Sequence, residues 1–200
     1  MLESAILPTS YFPPIKYFQC LNNYSPIYIE HAEHYKKHTI RNRTEILGTN
    51  GSLLLTIPIK KKHYSKTMIK NIKIADNSWK KNHINSIKSA YGSAPFFIHY
   101  FNQIEKIINN NYTFLIDLNN DILKYFIDEI RIKTKIYETS SYIKKYPKHF
   151  IDERETIKIN RDLKYYQQVF GSNFISNLSI IDLIFNVGPD TKKYIRAVEK

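Results

Sequence analysis

Residues 44–59 read TEILGTNGSLLLTIPI and place Asn50-Gly51 between two apolar runs. Asn and Gly both accept the positive φ that a type I′ turn requires, so this arrangement predicts a β-hairpin. Its strands are expected at Thr44–Leu47 and Ser52–Ile59. Upstream, Ser4–Leu7 and Pro26–Glu30 have the composition of short strands. The first part of the chain is therefore predicted to be rich in β-structure.

The spacing of apolar residues changes downstream of the hairpin. Alternation over Lys70–Ala75 predicts one more strand, and from Trp79 onward apolar residues recur at helical intervals. Gly92 is expected to end the first of these helices, and Pro95 to open the next. The remaining predicted elements are a helix at Ile15–Leu21, a helix at Asn120–Ile130, a strand at Lys135–Ser140, a charged surface arm at Lys144–Lys164, and helices at Ser179–Val187 and Thr191–Val198.

These elements predict an α+β fold in a single domain over residues 1–200. Mixed or antiparallel strands, including the Asn-Gly hairpin, come first, and a mainly helical C-terminal half follows. A chain of 200 residues with 42% hydrophobic residues is long enough to bury one substantial core.

The net charge of +12 would ordinarily raise nucleic acid or an anionic surface as a partner. However, the chain is rich in Ile, Asn, Lys and Tyr, a bias that AT-rich coding also produces, so many lysines can be interchangeable surface charge. Nucleic acid is therefore kept only as an alternative partner.

Cysteine usage and the N-terminus indicate the compartment. The single cysteine, Cys20, excludes an internal disulfide and lies in an apolar-aromatic run, which favours a small buried side chain over a nucleophile. Residues 1–18 lack the basic start and long apolar run of a signal peptide, and no apolar stretch is long enough to span a bilayer. We expect a cytoplasmic protein without a membrane span, and no oligomeric state is predicted.

The window from Glu30 to Arg43 concentrates ionisable side chains. It follows Ile29 in the run IEHAEHYKKHTIRNR, residues 29–43. Arg41 and Arg43 flank Asn42, so two guanidinium groups could hold a phosphate or carboxylate while the amide orients a hydroxyl. The alternative is a charged sheet edge that binds no ligand. We interpret the window as a binding site for an anionic small molecule, with Tyr35 and Lys37 as further donors.

Metal and cofactor chemistry is not favoured by the sequence. His31, His34 and His38 would share a face only on a helix, whereas irregular backbone is expected there, and the motif H-E-x-x-H is absent. None of the 5 glycines forms a phosphate-binding loop, so the common nucleotide folds are excluded. No metal and no cofactor are expected.

Two further segments carry polar groups on apolar faces. His83 lies one turn from Trp79, so it is either a hydrogen-bonded core residue or a proton-transfer group that lines a pocket with Tyr91. Asp182 lies in an otherwise apolar helix and needs a partner, for which Arg41 or Arg43 is suggested.

Taken together, six segments of the chain resemble the WbqC-like family of bacterial proteins. They are LPTSYFPPIKYF (7–18), IEHAEHYKKHTIRNR (29–43), GTNGSLLLTIPI (48–59), WKKNHINSIKSAYGSAPFF (79–97), YYQQVF (165–170) and NLSIIDLIFNVGP (177–189). The positions that match the family pattern are Glu30, Glu33, Tyr35, Lys37, Arg41, Asn42, Arg43, His83, Tyr91 and Asp182.

This resemblance implies a place in bacterial surface-polysaccharide (O-antigen-type) biosynthesis, with a nucleotide-sugar as the expected anionic substrate. The expected chemistry is transfer of an acyl or aminoacyl group to a sugar amine, with His83 or Glu30 removing the proton and Arg41, Asn42 and Arg43 holding the substrate. The alternatives are a nonenzymatic glycan-binding or scaffold protein, indicated by Glu30 and His83 lining no common pocket, and a basic nucleic-acid-binding domain.

Overall fold

The computed structural model describes residues 3–60, 66–157, 163–171 and 173–196. Short 3-10 turns also occur at Ile69–Asn71 and Gly188–Asp190. In chain order, the strands and helices of these residues are β1 (Ser4–Pro8), α1 (Ile15–Asn23), β2 (Ile27–Glu30), β3 (Arg43–Gly48), β4 (Gly51–Thr56), α2 (Ser78–Tyr91), α3 (Phe97–Asn109), α4 (Leu115–Ile130), β5 (Ile136–Glu138), β6 (Phe150–Asp152), α5 (Ile180–Val187) and α6 (Thr191–Ile195).

Strands β5, β2, β1 and β6 form a sheet in that spatial order, and each neighbouring pair is parallel. Successive side chains of a strand point to opposite faces. On one face, residues such as Leu7 and Ile29 join the main hydrophobic core. On the other face, the Tyr28 ring packs against Tyr137 and Phe150 at centroid distances of 5.6 and 5.7 Å. The sheet therefore carries the core on one side and an aromatic layer on the other.

Strands β3 and β4 form the predicted antiparallel hairpin. The two-residue turn is Thr49-Asn50, however, and not Asn50-Gly51, because Gly48 pairs with Gly51. Gly51 has φ +104°, a backbone conformation that residues with a Cβ atom rarely adopt. The hairpin is confirmed, but the predicted type I′ turn is wrong, because Gly51 has positive φ at the first position of β4 and Asn50 does not.

The α+β class is confirmed, with parallel strands alongside the antiparallel hairpin. Helix α2 ends at Tyr91 as expected, α3 starts at Phe97 instead of Pro95, and α4 starts at Leu115 instead of Asn120. The early start of α4 buries a further apolar turn, residues 115–118, against the core. Residues 197 and 198, the predicted end of the last helix, lie outside the described part of the chain, and the single domain stays a prediction.

The predicted strand at Lys70–Ala75 is wrong. A 3-10 turn occupies Ile69–Asn71, and only single bridges follow, from Ile74 to Ile59 and from Lys73 to Phe114. Alternation arises here because the segment crosses the core edge in an irregular conformation that buries Ile69, Ile72 and Ile74.

The predicted surface arm at Lys144–Lys164 is also wrong in part. Its residues Phe150–Asp152 form β6, which pairs with β1 and places Arg154 in the interior at 6% exposure. The segment looks like a charged loop because a three-residue strand gives too short a pattern to recognise. The part of the arm at 158–162 lies outside the described residues.

Candidate functional site

The carboxyl ends of the parallel strands gather the charged window and residues that follow β6. From β1, the chain adds β2 and then β5 on one side of the sheet. It then crosses over and adds β6 on the other side of β1, so the strand order reverses between β1 and β6. Ligands of open α/β sheets bind at such a reversal, outside the carboxyl ends of the strands. Two buried ion pairs occupy this edge.

The first ion pair joins Glu33 and Arg41, each with a side chain that is 1% exposed. Arg41 donates from Nε to Glu33 Oε1 at 2.7 Å and from Nη2 to Oε2 at 2.8 Å. Burial raises the pKa of the Glu33 carboxyl, while Arg41 opposes that rise. Asn119 donates to the Arg41 carbonyl at 2.9 Å and so ties this loop to α4.

The second ion pair joins Glu30, which is fully buried, to Arg154. Arg154 donates from Nη1 to Glu30 at 3.2 Å, from Nε and Nη2 to Asp152, and to the carbonyls of Ile143 and Lys144. All five N–H groups of a guanidinium are thereby used. Glu30 also accepts bonds from the Ala32 amide at 2.8 Å and the Thr139 hydroxyl at 2.6 Å.

A small cavity of about 80 Å³ lies between Arg41 and Arg154. Glu155 lines it as well and lies 3.8 Å from Arg41 Nη2 while bonding to Lys36. Acids already surround both guanidinium groups, so an added anion would meet carboxylates instead of open donors. The ion pairs around this cavity therefore form a structural charge network, and the cavity is a poor site for an anion.

Arg43, by contrast, lines a cavity of about 240 Å³ next to this network. Its Nε is buried and has no hydrogen-bond partner among the residues that the structure describes. A buried N–H without a partner costs about 1–3 kcal/mol, which an oxyanion in the cavity would recover. The lining residues are Pro14, Ile40, Arg43, Thr44, Glu45, Leu54, Ser176, Asn177 and Ser179.

Two helices begin at the wall of this Arg43 cavity. Pro14 is the N-cap of α1, and Ser179 is the N-cap of α5. The Ser179 hydroxyl accepts a hydrogen bond from the Ile181 amide. Helix N-termini carry partial positive charge and favour anions. Their first amides are already bonded, for example Lys16 N–H to Asn177 Oδ1 at 3.0 Å, so they contribute field and not open donors.

The remaining residues of the predicted binding set point elsewhere. Asn42 is 5% exposed; it accepts from the Tyr35 hydroxyl at 2.7 Å and donates to the Ile57 carbonyl at 2.8 Å. Lys37 is exposed, and Arg41 lines the neighbouring cavity. The structure thus separates the predicted Arg41–Arg43 fork, and Asn42 joins the window to the hairpin.

His83 lies beneath the hairpin, at 5% exposure. Its Nδ1 is 2.8 Å from the Tyr11 hydroxyl, and it hydrogen-bonds the Thr56 backbone. Burial lowers the pKa of His83 to about 4, so the ring is neutral at pH 7. These surroundings are those of a hydrogen-bonded core histidine, and the catalytic role of His83 stays a prediction.

The pKa of His83 predicts a pH dependence of stability. Since the folded pKa, about 4, lies below the ordinary 6.5, the unfolded chain binds the proton more tightly. The stabilisation is complete above pH 6.5 and is lost as the pH falls towards 4, by about 2–3 kcal/mol. Urea unfolding at pH 7 and pH 4.5 should show a shallower pH slope for His83→Gln than for the wild type. Identical slopes would contradict this, and His99→Gln, which removes an exposed imidazole, is the matched control.

Asp182 finds its partners near its own end of the chain, so the suggested pairing with Arg41 or Arg43 is wrong. It accepts from the Tyr166 hydroxyl and from Gln168 Nε2, the latter at 2.9 Å. Burial raises the pKa of Asp182, and the hydrogen bonds oppose that rise. Tyr91 borders the same carboxylate, accepts from the Leu47 amide at 2.9 Å and is fully buried. This cluster ties α5 to α2 and the hairpin.

Sequence reasoning identified Arg43 but missed the rest of its cavity. Glu45 alternates with Arg43 on β3, a signal that the strand pattern contains. Ser176, Asn177 and Ser179 come from a distant segment, and Arg154 carried no local signal.

Burial raises the pKa of the Cys20 thiol to about 12.

Among the described residues, no helix combines the length and apolar character needed to cross a membrane. The same residues contain no group of three or more His, Cys, Asp or Glu side chains placed to hold a metal ion.

Comparison with known proteins identifies the family. The model of the WbqC-like protein family matches residues 9–163 and 146–194. The chain is also 23% identical over 228 residues to "Uncharacterized protein Rv1507c" of Mycobacterium tuberculosis (strain ATCC 25618 / H37Rv), and this alignment covers 98% of each of the two chains. No solved structure matches the present chain. Since the family model spans nearly the whole sequence, the chain belongs to the WbqC-like protein family.

Proposed function

We propose that this protein binds the diphosphate of a nucleotide-activated sugar, an anionic small molecule, in the Arg43 cavity. The observation that carries the proposal is that Arg43, a residue that lines the cavity, has a buried Nε without a hydrogen-bond partner among the described residues. Guanidinium groups bind phosphate oxygens through charge-assisted hydrogen bonds. The nearby starts of α1 and α5 add positive potential at the same place.

The cavity also suits a polar sugar group. Thr44, Ser176 and Asn177 bring hydroxyl and amide groups to its wall, and Leu54 adds an apolar surface. Its volume, about 240 Å³, suits part of a nucleotide-sugar with the remainder over the open side.

The proposed reaction is acyl or aminoacyl transfer to a sugar amine in bacterial surface-polysaccharide biosynthesis, as the family resemblance implies. The amine nitrogen attacks the carbonyl carbon of an activated acyl donor such as a thioester. The C–N bond forms, the C–S bond breaks, the thiolate departs and the amine loses a proton. Glu45 is the carboxylate on the cavity wall and would accept that proton. Glu30 and His83, the bases predicted from sequence, stay as alternative candidates.

The test of binding is calorimetric titration with UDP-glucose. Arg43→Met is expected to weaken binding about 10- to 100-fold, the effect of losing a hydrogen-bonded charge. Arg131→Met removes an exposed arginine at the end of α4 and is the charge-matched control. Equal affinities in wild type and Arg43→Met would remove the proposal.

A second candidate function is binding of the sugar without catalysis. It is favoured by the fact that neither Glu30 nor His83 lines the Arg43 cavity. Mass spectrometry of the protein incubated with a UDP-linked amino sugar and an acyl thioester separates the two functions. An enzyme adds one acyl mass to the sugar, whereas a binding protein leaves it unchanged.

A further inference from the structure

A second cavity, of about 330 Å³, lies between α4 and the carboxyl ends of β2 and β5. Its residues differ entirely from those of the Arg43 cavity, so nothing in the proposed function uses it. The lining residues are Ile29, His31, Asn120, Asp121, Leu123, Lys124, Ile127, Ile136 and Glu138.

His31 is the buried polar group of this cavity, at 7% exposure. Its Nδ1 lies 3.3 Å from Glu138 Oε2. Its Nε2 has no hydrogen-bond partner among the described residues, although the Asn120 side chain adjoins the ring. Burial lowers the pKa of His31 and so favours the neutral ring, while Glu138 opposes that shift. A neutral ring facing a carboxylate carries its proton on Nδ1, which leaves Nε2 as an acceptor.

The polar groups around His31 are mainly acceptors. Glu138 is largely exposed, with 65% of its side chain accessible, and can turn one oxygen to a ligand. Asp121 accepts from the Tyr112 hydroxyl through Oδ2, which leaves Oδ1 for another donor. Lys124 is the cation on the same wall and is exposed. A ligand that donates hydrogen bonds and carries positive charge therefore complements the rim.

The base of the cavity is aliphatic. Ile29 and Leu123 are buried, and Ile127 and Ile136 are half-buried. Covering these side chains with the apolar part of a ligand would contribute about 25 cal/mol per Å² of apolar surface removed from water. The cavity thus combines apolar side chains with polar groups that are mainly acceptors.

We propose that this cavity is a second ligand site, for a small primary amine that lays an apolar flank on Ile29, Leu123 and Ile136 and donates to His31 and Glu138. The site stands on its own residues and does not depend on sugar binding at Arg43.

The test is an NMR titration of the ¹³C,¹⁵N-labelled full chain with cyclohexylamine, and with cyclohexanol as the uncharged probe of equal shape. Saturable shifts of the His31 ring and of the Leu123 and Ile136 methyl groups are expected with cyclohexylamine. Cyclohexanol should bind at least several-fold more weakly. Equal shifts with both probes, or shifts confined to other residues, would overturn the proposal.

Two exposed positions give variants that should fold normally. Glu138→Gln is expected to weaken cyclohexylamine about two- to fivefold, the effect of one partly exposed ion pair, and Lys124→Met to strengthen it by a similar factor. Arg43→Met should leave it unchanged, which separates this site from the proposed function. The same affinity in wild type, Glu138→Gln and Lys124→Met would refute an amine site.

Discussion

Arg41→Met is expected to lower the free energy of unfolding by about 3–5 kcal/mol, measured by urea denaturation at pH 7. The reason is that Glu33 lies at 1% exposure and would lose both hydrogen bonds to Arg41. A buried carboxylate without a partner must either remain charged in an apolar environment or take up a proton. Either state lowers the free energy of unfolding relative to the wild type.

Two controls separate this pair from ordinary surface charge. Lys88→Met breaks the pair of Lys88 with Glu105, which is about half exposed, and should cost at most about 1 kcal/mol. Glu33→Leu combined with Arg41→Met removes both charges and should be more stable than Arg41→Met alone. If the single and double variants lose the same stability, the burial of Glu33 is not the cause.

Arg154→Met is expected to cost a similar amount, about 3–5 kcal/mol. It leaves Glu30, which is fully buried, without its cation and frees the Ile143 and Lys144 carbonyls. Since Arg154 follows β6 and Glu30 ends β2, the loss should loosen the edge of the sheet. Arg154→Lys should recover only part of the stability, because an ammonium cannot reproduce five donors in a planar fork.

Hydrogen exchange provides the local measurement for Arg154→Met. The amides of β6 should exchange faster than in the wild type, whereas those of α3 should keep their protection. Lys193→Met is the control, since its pair with Asp190 is exposed. Unchanged protection of β6 together with wild-type stability would show that Arg154 is not a structural tie.

Local chemistry was enough to predict the hairpin and most helices. Gly51 needs positive φ, and the apolar stripe of α2 repeats at helical spacing, so both signals lie within a few residues. The turn lies one residue earlier than predicted, and Gly51 alone supplies the positive φ that was expected of both Asn50 and Gly51. The end points of helices depend on packing, as the early start of α4 shows.

Partners that are distant in sequence could not be predicted. Strands β5 and β6 have three residues each, and alternation over three residues specifies neither a partner nor a direction. The parallel order of the sheet, and with it the burial of Arg154, therefore became visible only in three dimensions. Asp182 was correctly expected to need a partner, but its position gave no indication of Tyr166 or Gln168.

The candidate site shows the same division. The density of charge in the sequence indicated Arg43, but it did not distinguish Arg43 from the neighbouring Arg41. Only the structure shows that Arg41 is hydrogen-bonded to Glu33, whereas the Nε of Arg43 has no partner among the described residues. This difference between the two arginines is the reason why the Arg43 cavity is proposed as the anion site.

We propose that the Arg43 cavity holds the phosphate groups of a nucleotide-sugar. A crystal structure of the full chain grown with saturating UDP-glucose tests it most directly. The expected result is a diphosphate oxygen within about 2.7–2.9 Å of Arg43 Nε, the usual length of a charge-assisted hydrogen bond. Diphosphate bound at another surface, or a cavity that holds only water at saturation, would contradict it.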